Sequence, residues 1–356
     1  MKVLAALLSI SLASALHAQT APVGDASALS TAPRLDGVVD TDPAWLDVKP
    51  MTGFTQVRPV EGASASQRTE VYIGFTNDTL YVGVICYDDE PASIIVANSR
   101  RDSDLDQEDS FRFVVDSFRS EQDGFVFGTN PAALEYDGQI ESTGTNRFRS
   151  SGFNTNWDTT WDVVTAIGDF GWSAEFAIPF KSLRYGGSDR QTWNVNFQRN
   201  IRRNNEIVYW APLPMQYGLN RLSLAGSVAG IEVPAQRNLK VTPYGLGKTA
   251  RGGALSGTED DTEFGVDLKY SITPSLTLDA TYNTDFAQVE ADQQQVNLDR
   301  FSLFFPEKRP FFLENAGLFE VGVPQQLALF FSRRIGIGPS GEQVPINAGV
   351  RLSGKI

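Results

Sequence analysis

Between Phe264 and Asn283 the chain alternates apolar and polar residues, broken only by one turn. Phe264, Val266, Leu268, Tyr270 and Ile272 interleave with Gly265, Asp267, Lys269 and Ser271. After Thr273-Pro274-Ser275, Leu276, Leu278, Ala280 and Tyr282 interleave with Thr277, Asp279, Thr281 and Asn283. A period of two sends successive side chains to opposite faces of a strand, and a helix does not gather such a pattern into one apolar stripe. Each run is about as long as a tilted membrane-spanning β-strand, with aromatic residues near the ends. Weaker runs of the same kind are Leu239 to Lys248, Leu327 to Ile337 and Ile346 to Ile356. These make about five candidate strands, fewer than the roughly eight of the smallest closed membrane barrel. Two readings follow: the front part of a longer barrel-bearing protein, or a half-exposed soluble sheet.

Upstream, shorter runs rich in Val, Ile, Phe, Tyr and Trp recur between Gly-Asp, Asn-Asp and Gly-Gly steps. They are Arg68 to Phe75, Thr79 to Tyr87, Ser110 to Val115, Gly124 to Asn130, Trp161 to Ile167, Trp172 to Ile178 and Thr192 to Asn200. Such punctuation is that of tight turns in an antiparallel sandwich. The expected fold is therefore all-β: an antiparallel β-sandwich over residues 33–235, then long antiparallel strands of a partial, truncated β-barrel-like domain over 236–356. The boundary lies near Gly230 to Asn238, where Pro234 breaks the pattern.

The first 18 residues read as a cleavable secretion signal, with Lys2, an apolar stretch from Val3 to Leu16, and small residues at Ala15 and Ala18. Residues 19–32 read as a flexible Ser/Ala-rich lead-in. Export to the periplasm, the outer membrane or the cell surface follows. His17, the only histidine, would leave with the signal. A mature chain without imidazole has no Ser-His-Asp system and no usual zinc or haem ligand set. Cys86 lies in an apolar run and is expected to be a small core residue without a disulfide partner. A net charge of −13 argues against nucleic acid. Gly336-Ile337-Gly338-Pro339-Ser340-Gly341 matches a dinucleotide glycine pattern, but no helix pattern follows and Pro339 interrupts it, so no nucleotide is expected.

Leu35-Asp36-Gly37-Val38-Val39-Asp40-Thr41-Asp42-Pro43-Ala44-Trp45 resembles the opening of carbohydrate-binding module family 9. The resemblance continues, in family order, through Thr69-Glu70-Val71-Tyr72-Ile73, Leu80-Tyr81-Val82-Gly83-Val84 and Asp109-Ser110-Phe111-Arg112-Phe113-Val114-Val115-Asp116. It ends at Gly171-Trp172-Ser173-Ala174-Glu175-Phe176-Ala177-Ile178-Pro179-Phe180. It implies a β-sandwich, a glycan ligand and an association with carbohydrate catabolism, including O-glycosyl hydrolysis. The second half is similar to the uncharacterised domain that follows such modules in secreted bacterial proteins, through Asp285 to Asp292, Phe304 to Glu314 and Phe331 to Gly336. That resemblance implies an outer-membrane barrel, and with it a transporter or surface-assembly alternative.

Sugar recognition needs a flat apolar face and fixed polar groups. Trp45, Trp172 and Trp193 sit in apolar company and are expected in the core. Trp157 follows a polar loop, so ligand platform and core residue are both open; Trp210 is a second candidate platform. Arg100 and Arg101 are candidate polar ligand contacts. They adjoin the acid run of Asp102, Asp104, Asp106, Glu108 and Asp109, for which two readings are open: oxygen ligands for Ca²⁺, or a solvated loop. The EF-hand spacing is not met, because Gln107 and Phe113 stand where Gly and Glu belong. Ala287 to Gln326, rich in phenylalanine, is expected to be buried with its charges paired to one another. Glycoside hydrolysis needs only two carboxylates, and no pair stands out in the sequence.

Overall fold

The computed structural model describes residues 21–140, 152–155, 157–234, 239–251, 258–273, 276–283, 310–313, 322–323, 327–328, 332–336 and 344–354. The signal segment and most of Ala287 to Gln326 lie outside the described residues. In chain order the strands of the first part are β1 (Val23–Asp25), β2 (Ser27–Ala28), β3 (Thr55–Arg58), β4 (Thr69–Phe75), β5 (Thr79–Tyr87), β6 (Ser110–Asp116), β7 (Phe125–Thr129) and β8 (Tyr136–Ile140). They continue with β9 (Phe153–Asn154), β10 (Asp162–Gly168), β11 (Gly171–Pro179), β12 (Arg190–Ile201), β13 (Glu206–Tyr209) and β14 (Gly226–Glu232). The second part holds β15 (Leu239–Arg251), β16 (Thr258–Thr273), β17 (Leu276–Tyr282), β18 (Gly322–Val323), β19 (Leu327–Ala328) and β20 (Ala348–Gly354).

The all-β expectation holds, and the sandwich is there. One sheet runs β1-β14-β12-β6-β7-β8-β9, with β13 joining β12 to β3; the other runs β10-β11-β5-β4-β2. Between them Phe111, Phe113, Phe127, Phe176 and Phe197 meet Trp172 and Trp193, all fully buried. Every residue of β6 is buried, because loops cover the back of its sheet with a second cluster around Val114, Val126, Tyr136 and Leu222. A third cluster, around Val39, Trp45 and Ile85, covers the back of the other sheet. Continuous apolar runs such as Leu80 to Cys86 follow from burial on both faces rather than one. Cys86 is a buried free thiol whose pKa burial pushes up to about 12, the state of an inert core residue.

The lead-in differs from expectation. β1 pairs parallel with β14 in one sheet and β2 pairs parallel with β4 in the other, so residues 23–28 stitch the two sheets together. Gly24 permits this crossing, since a Cβ there would lie 2.4 Å from Met51 Sδ. The run Leu327 to Ile337 also departs from a single strand: among its described residues Leu327–Ala328 is extended, and Ser332–Arg334 makes a 3₁₀ turn that closes from Ile335 N to Ser332 O at 2.8 Å.

β15, β16, β17 and β20 form a four-stranded antiparallel sheet, open among the described residues. Its apolar face is the exposed one and its polar face the buried one. Register aligns Val241, Leu268, Ala280 and Val350 on one face, with Leu239, Tyr270, Leu278 and Leu352 beside them. Leu239, Val241, Phe264, Tyr282, Val350 and Leu352 on that face are exposed, Val350 to 74 % and Phe264 to 72 %. The opposite face carries Lys269, Asp279 and Arg351 in register, with Asp267 beside Thr281 and Thr277 beside Ser353. There Thr277, Asp279, Thr281 and Ser353 are buried to 3–4 % exposure. Arg351 Nη2 pairs with Asp279 Oδ2 at 2.9 Å, and Thr281 Oγ1 donates to Asp267 Oδ1 at 2.5 Å.

Candidate functional site

The residues singled out in sequence separate into three groups. Asp36, Gly37 and Trp45 of the most family-like motif are structural: the amides of Asp36 and Gly37 donate to Glu175 Oε2 at 3.1 and 2.9 Å, and Trp45 Nε1 donates to Glu175 Oε1 at 2.8 Å. Asp42 caps the following turn through Ala44 N at 2.8 Å. The whole motif is a latch on a buried carboxylate of β11.

The acid run does not converge on a shared point. Asp104 accepts from Asp106 N within the loop at 2.9 Å, and Asp106 pairs with Arg112. Glu108 is fully buried and accepts from Ala97 N at 2.7 Å, Asn98 N at 3.2 Å and Asn130 Nδ2 at 3.0 Å. Asp109, also fully buried, accepts from Ile95 N at 2.9 Å, and burial raises its pKa. These two pin the loop over residues 94–98 to the start of β6. Among the described residues no three acidic, His or Cys side chains are placed to hold a metal ion. The acids face different ways because each serves a separate amide or guanidinium, so this geometry lends the Ca²⁺ reading no support.

The expectation for Trp210 is corrected. It is buried in the main core directly after β13, with its ring 5.4 Å from Phe197 and its amide donating to Phe197 O at 3.1 Å. Apolar neighbours on both sides of Tyr209-Trp210 leave no open face for a ligand. Arg100 is exposed and takes no part in the cluster that its neighbour gathers.

Trp157 and Arg101 do meet at one corner. β8 and the chain leading into β10 place them there. Trp157 is half-buried: its ring leans on Phe125 at 4.9 Å and edge-on to Phe127 at 6.5 Å. Next along the chain, Asp158 reaches Arg101 Nη2 at 2.5 Å, as Asp137 Oδ1 does at 2.5 Å; Glu135 takes Arg101 Nη1, and Asp102 lies 3.6 Å from Nε. One guanidinium is thus ringed by four carboxylates. Asp137 Oδ2 also accepts from Thr159 N at 3.0 Å. Burial pushes the Asp137 carboxyl up to about 6, against the opposing pull of Arg101. Asp102 is raised too, again by burial. Asp158 and Glu135 keep substantial exposure, 70 % and 36 % of their side chains. The corner therefore offers a wet aromatic edge beside fixed acceptors and donors, in an acidic field.

Sequence reading missed Glu135, Asp137 and Asp158. Glu135 and Asp137 flank Tyr136 at the start of β8 and Asp158 lies beyond β9, so only the fold brings the three to Arg101. A second concavity, of about 600 Å³, lies between Leu29, Ser30, Asn77, Asp189, Arg190 and Glu232, and no sequence signal marked it.

Known proteins resemble parts of this chain. Residues 234–350 match the family described as a domain of unknown function (DUF5916). No curated protein matches. Among solved structures, the sandwich is similar to a carbohydrate binding module family 9 from Caldicellulosiruptor kristjanssonii in complex with cellotriose, at 16 % identity and TM-score 0.41, covering 60 % of this chain and 95 % of that one. The same module in complex with glucose also matches, at 16 % identity and TM-score 0.41, covering 59 % and 95 %. Likeness at that level supplies neither a ligand nor a ligand residue for this chain.

Proposed function

We propose that this is an exported carbohydrate-binding protein whose sandwich takes neutral saccharide at the Trp157 corner and whose second sheet belongs to the bacterial outer membrane. One observation carries the binding reading: a half-exposed tryptophan is followed in the chain by Asp158, one of two exposed carboxylates that the partly exposed Arg101 holds in place. An indole edge packs on the C–H face of a pyranose, and fixed carboxylates accept from its hydroxyls. Four acids around one cation disfavour uronates and other acidic glycans by like-charge repulsion. All four converge on the same guanidinium rather than flanking a space for a glycosidic bond and water, so the corner supports binding over hydrolysis. Capture of saccharide for breakdown elsewhere is the role that fits.

The membrane reading has its own support. Lipid tails reward an apolar face turned outward and polar side chains turned inward, the opposite of water. Phe264 to Ile272 spans nine residues, within the ~9–11 of a tilted transmembrane strand. Titration of the full-length chain against neutral oligosaccharides, cello-oligosaccharides among them, tests the first reading. Binding that is weakened at least tenfold by Trp157→Ala is expected. Absence of binding across a broad neutral panel overturns it.

A further inference from the structure

Both ends of the inverted sheet are marked. At one end lie the two-residue turn between Thr273 and Leu276 and Leu239, which pairs with Tyr270 and which only residues 233–238 separate from the sandwich strand β14. At the other end β15 reaches β16 through residues 252–257, and Tyr282 pairs with Ala348, so residues 283–347 join two adjacent strands there. The long connections therefore share one end, and the short turn and the sandwich share the other. In outer-membrane barrels short turns are periplasmic and long loops extracellular.

The electrostatics agree with the strand topology. Arg184, in the sandwich segment between Phe180 and β12, is close enough to interact electrostatically with Asp279, which stands in register with Lys269 and Arg351 on the buried polar face. Arg184 Nη2 is itself buried, and burial lowers its pKa to about 10 while Asp279 opposes that shift. Lys269 and Asp279 lie closer to the Tyr270 end than to the Phe264 end. A sandwich outside the cell, beyond the long connections, would not reach them. Resting on the membrane reading above, we infer that the sandwich sits on the periplasmic side, against the inner polar face of the membrane sheet. Its glycan is then one already inside the outer membrane.

Cysteine labelling tests this on the full chain in a Gram-negative envelope. Cys86 is buried and supplies the unlabelled background. Ala92→Cys marks an exposed sandwich residue, and Asp260→Cys marks the long-connection end of β16. The expected result is recovery in the outer-membrane fraction, labelling of Asp260→Cys by a membrane-impermeant maleimide on intact cells, and labelling of Ala92→Cys only after the outer membrane is permeabilised. Labelling of Ala92→Cys on intact cells overturns the inference while leaving the membrane reading standing. A protected Asp260→Cys in an outer-membrane-bound chain overturns it as well. Recovery of the chain outside the membrane fraction overturns the membrane reading itself, and this topology with it.

Discussion

Trp45 donates its indole N–H to Glu175 at 2.8 Å across 130 residues of sequence, and the amides of Asp36 and Gly37 close on the other oxygen of the same carboxylate. Burial raises the Glu175 pKa, and these three donors pull it back. Removing the acceptor leaves buried donors with nothing to bind, at about 1–3 kcal/mol for each buried donor so stranded. Glu175→Ala is expected to lower stability by about 3 kcal/mol or more, and Glu175→Gln by less, since it keeps the shape and one acceptor. Urea unfolding monitored by tryptophan fluorescence measures both. Equal losses in the two variants would show that shape and a single remaining acceptor contribute nothing, and that the latch needs both carboxylate oxygens.

Gly37 gives the same latch a backbone constraint. Its φ is +82°, and a Cβ there would lie 2.5 Å from the backbone of Thr165. Gly37→Ala is expected to cost more than the ~1 kcal/mol of a strained φ alone, while glycan affinity is unchanged. Loss of affinity with full stability would tie the motif to the ligand after all.

How legible this was varies by residue. Strands such as Thr79 to Tyr87 showed in sequence because burial on both faces writes a continuous apolar run. The second sheet showed as strict alternation, but its direction did not: alternation looks the same whichever face is covered, and only the burial of Asp279 and Thr277 beside the exposure of Val350 shows that the polar face is the covered one. Trp157 and Arg101 were readable as unusual loop residues. Asp137 was not, because a lone acid in a strand carries no local mark of the arginine opposite. Trp210 misled because nothing in Tyr209-Trp210 marks the pairing of β13 with β12 that carries the ring into the core.

Trp157 and Trp172 separate binding from folding. Trp172 is fully buried, so Trp172→Ala is expected to cost about 3–5 kcal/mol. Trp157 shares its ring with Phe125, so Trp157→Ala is expected to cost about 1–2 kcal/mol, chiefly the aromatic contact and partial burial. Thermal melts and glycan titration of both variants check this. A Trp157→Ala chain as unstable as Trp172→Ala would return that ring to the core.

Asp137 sets a pH dependence. Its carboxyl titrates near 6 in the fold and at its ordinary 3.8 when unfolded. As pH rises the unfolded chain releases this proton first, so stability falls between about pH 4 and 6 and levels off above. The contribution reaches up to about 3 kcal/mol for a shift of that size. Asp137→Asn should flatten this window in denaturant midpoints measured from pH 4 to 8. An unchanged slope would assign the dependence to another group.

Val350 decides between water and lipid. It is exposed to 74 % midway along β20, at the edge of the described sheet, paired in register with Ala280, while its neighbour Arg351 turns inward to Asp279. On a sheet standing in water, Val350→Arg replaces an exposed apolar group with a solvated charge and should leave stability within about 0.5 kcal/mol and improve solubility. On a sheet standing in lipid, the same change sets a guanidinium in hydrocarbon at about 2–4 kcal/mol near the midplane. The expected outcome is loss of the variant from the outer-membrane fraction, with Val350→Leu retained. Normal membrane recovery of Val350→Arg would mean that this face meets protein or water instead, and that the exposed apolar stripe has a different partner.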